Sequence, residues 1–149
     1  MMWLEALRQM LVAGMATITF SILFHVPARS YLAGAFTGAV GWLVYWLMVG
    51  AGQSTVVASL VAVLPLTLLC RIFAVWLKTP ITVFLFSGIF PLVPGAALYY
   101  TAYYFIRGDT ALFTQKGIEA LKIAVAMALG IAFVLSLPRL RRSEKDGRQ

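Results

Sequence analysis

Long apolar segments, separated by short polar breaks, occupy most of the 149-residue chain. A membrane-spanning helix needs about 20 apolar residues. Five windows meet that length: residues 4–25, 31–50, 54–77, 80–106 and 117–137. The pattern therefore predicts an all-α polytopic membrane protein, a bundle of about five transmembrane helices within residues 1–137, followed by a basic tail at residues 138–149. The alternative is a four-span topology in which residues 4–25 lie flat on the membrane.

The breaks between the windows carry residues that typically begin or end helices. Ser30, Ser54 and Thr79 each precede an apolar window and are candidate N-caps, because their hydroxyl groups can accept a backbone N–H of the first turn. Pro138 follows the last window and closes it. The longest loop is predicted to start at Arg107 and to reach the fifth window at residue 117.

Composition identifies lipid as the solvent of this chain. Hydrophobic residues make up 62% of the sequence and charged residues 11%, whereas a soluble domain keeps about 25% charged residues. The net charge of +7 does not indicate nucleic-acid binding, since the basic residues stand singly at helix ends apart from the tail, and a nucleic-acid binder concentrates them on a soluble face.

The basic residues also predict how the helices are oriented. With five spans the termini lie on opposite sides of the membrane, and cytoplasmic loops carry the excess of Lys and Arg. One side holds eight basic residues: Arg29, Arg71, Lys78, Arg139, Arg141, Arg142, Lys145 and Arg148. The other side holds four: Arg8, Arg107, Lys116 and Lys122. The distribution predicts an outside N-terminus and a cytoplasmic C-terminus.

The fourth window contains two prolines near its middle. Pro91 and Pro94 have no N–H, so the carbonyl groups of Ser87 and Phe90 lose their helical donors. In hydrocarbon, such groups cost several kcal/mol unless protein or water satisfies them. We therefore expect this helix to be broken near its middle at the Pro-x-x-Pro-Gly motif and to face the bundle interior or a wet cavity. An ordinary proline kink that only assists packing is the alternative.

A broken helix at this depth predicts a substrate site. A second half-helix starting at Pro94 and Gly95 would present free N–H groups and the positive end of its dipole, and secondary transporters hold substrate carboxylates in this way. Gly88 relaxes the backbone before the break, and Ser87, Tyr99 and Thr101 lie close enough in sequence to offer hydroxyl groups. The candidate substrate-binding residues are Ser87, Gly88, Pro91, Pro94, Gly95, Tyr99, Thr101, Arg29 and Arg71.

The two arginines of this set have a more distant role. Arg29 and Arg71 lie toward the predicted inner side, where their charge would draw anions toward the pathway. For Arg71 the simpler interpretation is that the side chain reaches to the inner interface, and Arg29 is equally suited to capping a helix.

Small residues predict where helices pack closely. Gly34 and Gly38 form a GxxxG pattern with Gly41 on the next turn, and Ala126 with Gly130 form a weaker version in the fifth window. The sequence offers no cluster of metal ligands, no phosphate-binding loop and no set of ionisable residues suited to catalysis. We therefore expect neither a cofactor nor an enzymatic activity.

Two motifs resemble one family of bacterial transporters. Residues 24–29, Phe-His-Val-Pro-Ala-Arg, followed by the glycine-rich second window, resemble the F-x-V-P-x-R start of the small-subunit half of the threonine/serine exporter family. Residues 89–95 with Tyr99 are similar to that family's P-x-x-P-G-x-x-x-Y signature. The resemblance covers roughly residues 10–137, and within the family the chain is similar to the smaller subunit of the two-component succinate exporter.

The resemblance implies a function and a partner. It implies export of threonine, serine or a succinate-like dicarboxylate across the bacterial inner membrane, together with a larger membrane subunit that carries a soluble domain. The family motif falls on Pro27, Arg29, Gly88, Pro91, Pro94, Gly95 and Tyr99. Two further hypotheses stay open: a non-transporting scaffold that stabilises or anchors the partner, and a membrane-embedded enzyme acting on lipid.

Overall fold

The computed structural model describes residues 2–138, and they form six α-helices. In chain order these are α1 (Met2–Leu23), α2 (Tyr31–Gly50), α3 (Thr55–Trp76), α4 (Ile81–Ile89), α5 (Gly95–Arg107) and α6 (Thr110–Ser136). Short 3₁₀ turns, Ala28–Ser30 and Phe90–Leu92, lead into α2 and continue α4. The predicted all-α class is confirmed; the predicted tail, from Arg139 onward, lies outside the described residues.

The helices account for the predicted number of spans. α1, α3, α6 and the unit made of the first 3₁₀ turn and α2 are each long and apolar enough to cross a membrane. Ile81–Leu92 and Gly95–Arg107 meet the same criteria only together, and they are bent by 59° relative to each other. If this pair forms one span, the bundle has five. The predicted break in the fourth window is therefore confirmed.

The helices pack in an order that places α2 and α3 at the centre. α1 lies on α2, α2 on α3, and α3 on α6, while α4 lies against α1, α2 and α3, and α5 packs on α6. The buried core is made of apolar side chains from α3, α4 and α6 with the turn after α4: Ala62, Leu66, Cys70, Phe84, Leu92, Ile123 and Met127. Because lipid tails are as apolar as these side chains, close packing rather than removal from water holds the helices together.

Glycines allow the closest of these approaches. A Cβ added at Gly38 would collide with Thr17 of α1, and one at Gly41 would lie 2.7 Å from Leu66 Cδ1 of α3. Gly34 faces the hydroxyl groups of both Ser21 and Ser87, each 3.6 Å from the position of an added Cβ. The glycine face of α2 thus contacts α1, α3 and α4.

α6 has a second face of small residues, and this face packs on α3. A Cβ at Gly130 would collide with Val63, and Ala126, one turn earlier, is buried. The backbones of α3 and α6 therefore approach closely at this point.

The helix starts differ from the sequence-based expectation in two of three cases. Ser54 caps α3, since its Oγ accepts the N–H of Val57 at 3.4 Å. Ser30 makes no capping bond, because the preceding 3₁₀ turn runs directly into α2 and already fixes the start of that helix. Thr79 makes none either, since its hydroxyl donates to the carbonyl of Leu77 at 3.0 Å.

The loop predicted after Arg107 is a tight turn of two residues. Gly108 has φ +73°, the left-handed conformation that commonly ends helices. Asp109 then caps α6, because its Oδ1 accepts the N–H of Leu112 at 3.0 Å. α6 consequently begins at Thr110, seven residues before the fifth apolar window.

Candidate functional site

The break between α4 and α5 is built by the spacing of its prolines. α3 contains Pro65 and stays helical through it, so a single proline does not interrupt a helix in this bundle. Pro91 and Pro94 remove donors on successive turns, and Pro94 also disfavours the helical conformation at Val93. Val93 accordingly has φ −57° and ψ +133°, an extended conformation that ends the 3₁₀ turn.

The start of α5 presents donors that nothing in the described chain caps. Pro94 offers no side-chain cap. The N–H of Gly95 donates to the carbonyl of Val93 at 2.7 Å, and the N–H of Leu98 donates to Pro94 at 3.0 Å. Between them lie the N–H groups of residues 96 and 97, in the first turn, where an α-helix supplies no acceptor. Gly95 and residue 96 are exposed on the outside of the bundle.

The residues just before the break lie inside the bundle instead. Ser87 is 1% exposed, and its hydroxyl donates to the carbonyl of Val83 at 3.1 Å. Gly88 is buried beside Thr37 of α2, whose Oγ1 would lie 3.1 Å from an added Cβ. The break therefore divides the predicted site into a buried part on α4 and an exposed part on α5.

The two hydroxyl candidates on α5 point to different sides of that helix. The Thr101 hydroxyl donates to the carbonyl of Ala97 at 2.7 Å, and its methyl group faces Gly117 of α6. Tyr99 is 64% exposed, and its ring stacks on that of Tyr103 with the centroids 6.3 Å apart. Of the two, Tyr99 is the one on the same exposed side as Gly95.

Arg71 is held at the C-terminal end of α6. Its guanidinium donates to the carbonyl groups of Val134, Leu137 (3.0 Å) and Pro138 (2.7 Å), and the residue is 8% exposed. The carbonyl groups at the end of an α-helix lack the usual N–H donor four residues further on. The Val134 carbonyl also accepts the N–H of Leu137 at 3.3 Å, and Arg71 of α3 caps this end of α6 by donating to all three carbonyl groups. This contact could not be predicted from the sequence, because it joins residues more than sixty positions apart.

We expect replacement of Arg71 by Met to destabilise the protein. The carbonyl groups of Leu137 and Pro138 would lose the donor that Arg71 provides, and each unsatisfied group costs about 1–3 kcal/mol. The stability of Arg71→Lys should lie between those of the wild type and Arg71→Met, since one ammonium group cannot reach all the carbonyl groups that the guanidinium reaches. The measurement is the thermal midpoint of the protein in detergent, with Arg107→Met, a change at an exposed arginine, as the control. Equal midpoints for the two Met variants would contradict the capping role.

Arg29, the other arginine of the predicted site, lies outside the long helices. It is exposed in the 3₁₀ turn between α1 and α2. In the part of the chain that the structure describes, its side chain makes no hydrogen bond with the residues of the break.

Sequence reasoning missed a cluster of buried hydroxyl groups next to the break. Thr17 and Ser21 of α1 and Thr37 of α2 are at most 1% exposed and surround the glycine face of α2 together with Ser87. The signal was the four-residue spacing of Thr17 and Ser21 within an apolar helix. Each hydroxyl donates to a carbonyl of its own helix: Thr17 to Ala13, Ser21 to Thr17 and Thr37 to Gly34.

A groove between α1 and α2 is unsuited to a charged substrate. Its volume is about 360 Å³, and its lining is entirely apolar, with Leu11 and Met15 on one side and Phe36 on the other. A carboxylate would find no donor there, so the groove is suited to a lipid chain.

Comparison with known families identifies one match over most of the chain. The family described as "Threonine/Serine exporter, ThrE" matches residues 9–137, a range that includes both motifs, the glycine face and the break. No solved structure matches the chain.

Proposed function

Because the chain belongs to the threonine/serine exporter family, we propose that it is one subunit of a secondary transporter that exports small carboxylate-bearing metabolites, threonine and serine or a succinate-like dicarboxylate, across the bacterial inner membrane. A larger membrane subunit of the same family completes the transporter. Membership supports transport of threonine- or serine-like substrates; the wider substrate range and the partner are part of the proposal.

The uncapped start of α5 is the observation that carries the mechanism. It lies at the junction of two half-helices, about 18 Å from the inner end of α4 by the rise of 1.5 Å per residue, and so near the middle of a hydrocarbon layer about 30 Å thick. Free N–H groups and the positive dipole end favour a bound carboxylate. A carboxylate is common to all three candidate substrates.

The exposed part of the site supplies the donors. The N–H groups after Gly95 hold the carboxylate, and the hydroxyl of Tyr99, on the same side of α5, adds a further donor. The hydroxyl hydrogens of Ser87 and Thr101 are used within their own helices. Ser87 therefore serves the packing of α4 on α2, and Thr101 serves the packing of α5 on α6. Pro91, Pro94 and Gly88 set the backbone geometry.

The orientation of the chain follows from its charges. With N-terminus outside and C-terminus in the cytoplasm, α4 leads from the cytoplasmic side to the break, and Arg29 lies where substrates enter. Its charge raises the local concentration of anions at that surface.

Reconstitution tests this function directly. Vesicles containing the chain with its larger partner should export labelled threonine, serine or succinate, and vesicles with either subunit alone should not. Flux by this chain alone would contradict the need for a partner. Absence of flux for all three compounds in the complete complex would overturn the proposed substrate class.

A further inference from the structure

We propose that the partner subunit docks on one face of α5, the tyrosine face, made of Gly95, Tyr99, Tyr103 and Ile106. The partner presents hydrogen-bond acceptors to this face at the depth of the break. This inference rests on the proposed function in that it assumes the site at the start of α5. It goes further in two respects: it names the surface of this chain that contacts the partner, and it states the chemistry that the partner's facing surface must have.

The tyrosine face lies opposite the helix that α5 packs on. With 3.6 residues per turn, Gly95, Tyr99 and Ile106 fall within one narrow stripe and Tyr103 borders it. Thr101, on the other side, faces α6. Tyr99 is 64% exposed and Ile106 is 83% exposed. Within residues 2–138, α6 is the one helix against which α5 packs closely.

The bend at the break is the reason for this exposure. α4 packs against α1, α2 and α3, and Ser87 and Gly88 at its end are buried there. The turn of 59° then directs α5 away from α1 and α2. The donors at the start of α5 consequently open to the outside of this subunit and not into its own bundle.

Lipid cannot satisfy the groups on this face. The N–H of residue 96 and the Tyr99 hydroxyl lie within the span, and no acceptor for either is present in the described part of the chain. Acyl chains accept no hydrogen bonds, so each such group costs several kcal/mol in hydrocarbon. At the outer end of the face, the Tyr103 hydroxyl accepts a bond from Arg107 Nη1 at 2.9 Å, which leaves its own hydrogen free to donate. The face as a whole offers donors along its length.

The excess of donors favours a different chain over a second copy. Two copies related by a twofold axis along the membrane normal would place the same surface on both sides of the interface. The positive starts of the two α5 helices would then face each other, with donor against donor. A partner with carbonyl or amide oxygens at this depth satisfies these donors when no substrate is bound, and the substrate carboxylate would take their place between the two subunits.

Photocrosslinking of the full-length chain in the cells that produce it tests this surface. A benzoylphenylalanine in place of Tyr99 should give one discrete adduct with a polytopic membrane protein of different sequence. The matched control is the same replacement of Leu129, which is 63% exposed on α6. Leu129 lies seven residues before the last residue of α6, and Tyr99 lies eight residues before the last residue of α5. The control should react with lipid only. In addition, Tyr99→Ala should lower copurification of the captured protein at least tenfold, and Leu129→Ala should leave it unchanged.

The outcomes separate the surface from the transport function. Adducts of Tyr99 with lipid only, an adduct of twice the mass of the chain, or equal adducts at both positions would overturn the proposed interface. The expected adduct, together with a purified complex that moves none of the three substrates, would uphold the interface and reject the proposed function. Full copurification of the Tyr99→Ala variant, together with flux through the unmodified complex, would reject the interface and uphold the function.

Discussion

Export is expected to fall by about two orders of magnitude when Pro94 and Gly95 are both replaced by alanine, while the chain still reaches the membrane. Alanine at position 94 restores an N–H that can donate to the carbonyl of Phe90, and it frees Val93 from its extended conformation. The two half-helices can then join, and the free donors at the start of α5 disappear. Two charge-assisted hydrogen bonds of about 1.5 kcal/mol each correspond to roughly a hundredfold loss of substrate affinity.

The chain provides its own control for this experiment. Pro65→Ala makes the same chemical change in a helix that is already continuous, so export should stay near the wild-type rate. Both variants are measured as initial efflux of labelled substrate, normalised to the amount of assembled complex. Unchanged efflux in the double variant would contradict a site at the break. Loss of assembly that accounts for the whole transport defect would favour the scaffold hypothesis.

Gly38→Ala is expected to destabilise the bundle more than any other glycine-to-alanine change on α2. An added methyl group collides with the Thr17 side chain, which is buried and held by its bond to Ala13. Overpacking of this kind costs typically about 1–3 kcal/mol. Gly34→Ala should cost less, because the nearest atoms lie at the ordinary contact distance of 3.6 Å. The measurement is the thermal midpoint of the purified protein.

Two further variants decide whether the collision is the cause. Gly50→Ala at the end of α2 meets no atom within 4 Å, so it reports the intrinsic effect of the substitution, which is favourable in a helix by up to about 1 kcal/mol. Thr17→Ala combined with Gly38→Ala should recover part of the lost stability, since the closest hydroxyl is removed. Equal midpoints for Gly38→Ala and Gly50→Ala would show that α1 does not pack on α2 as described.

The parts of the fold that depend on local chemistry could be predicted from the sequence. Apolar length predicted the spans, and two prolines three residues apart predicted the break, because the loss of an N–H is a property of the residue itself. Ser54 was predicted to cap α3 and does so. The turn at Gly108 and Asp109 has an equally local explanation, but the polar and charged residues after Arg107 favour a longer loop and do not indicate that α6 begins at Thr110.

The parts that depend on distant contacts could not be predicted. The role of Arg71 requires knowing that α3 and α6 end side by side. The position of Tyr99 on the outside of the bundle depends on the direction of the bend after Val93, which is set by the packing of α5 on α6. Ser87 and Tyr99 are only twelve residues apart in the sequence, but in the structure Ser87 is buried in the bundle and Tyr99 is exposed on its outside.

The buried hydroxyl groups around the glycine face have a mechanical consequence. Thr17, Ser21, Thr37 and Ser87 each donate to their own helix, and within residues 2–138 the side-chain hydrogen bond that joins α1 to α2 lies near the start of α1, from Trp42 to Gln9. At the level of the break, α1 and α4 can therefore slide along α2 without breaking a hydrogen bond, and only steric fit resists the displacement. Shear between packed helices is one of the ways in which proteins change conformation. A surface of glycines and of hydroxyl groups that are bonded within their own helices presents little resistance to such a movement.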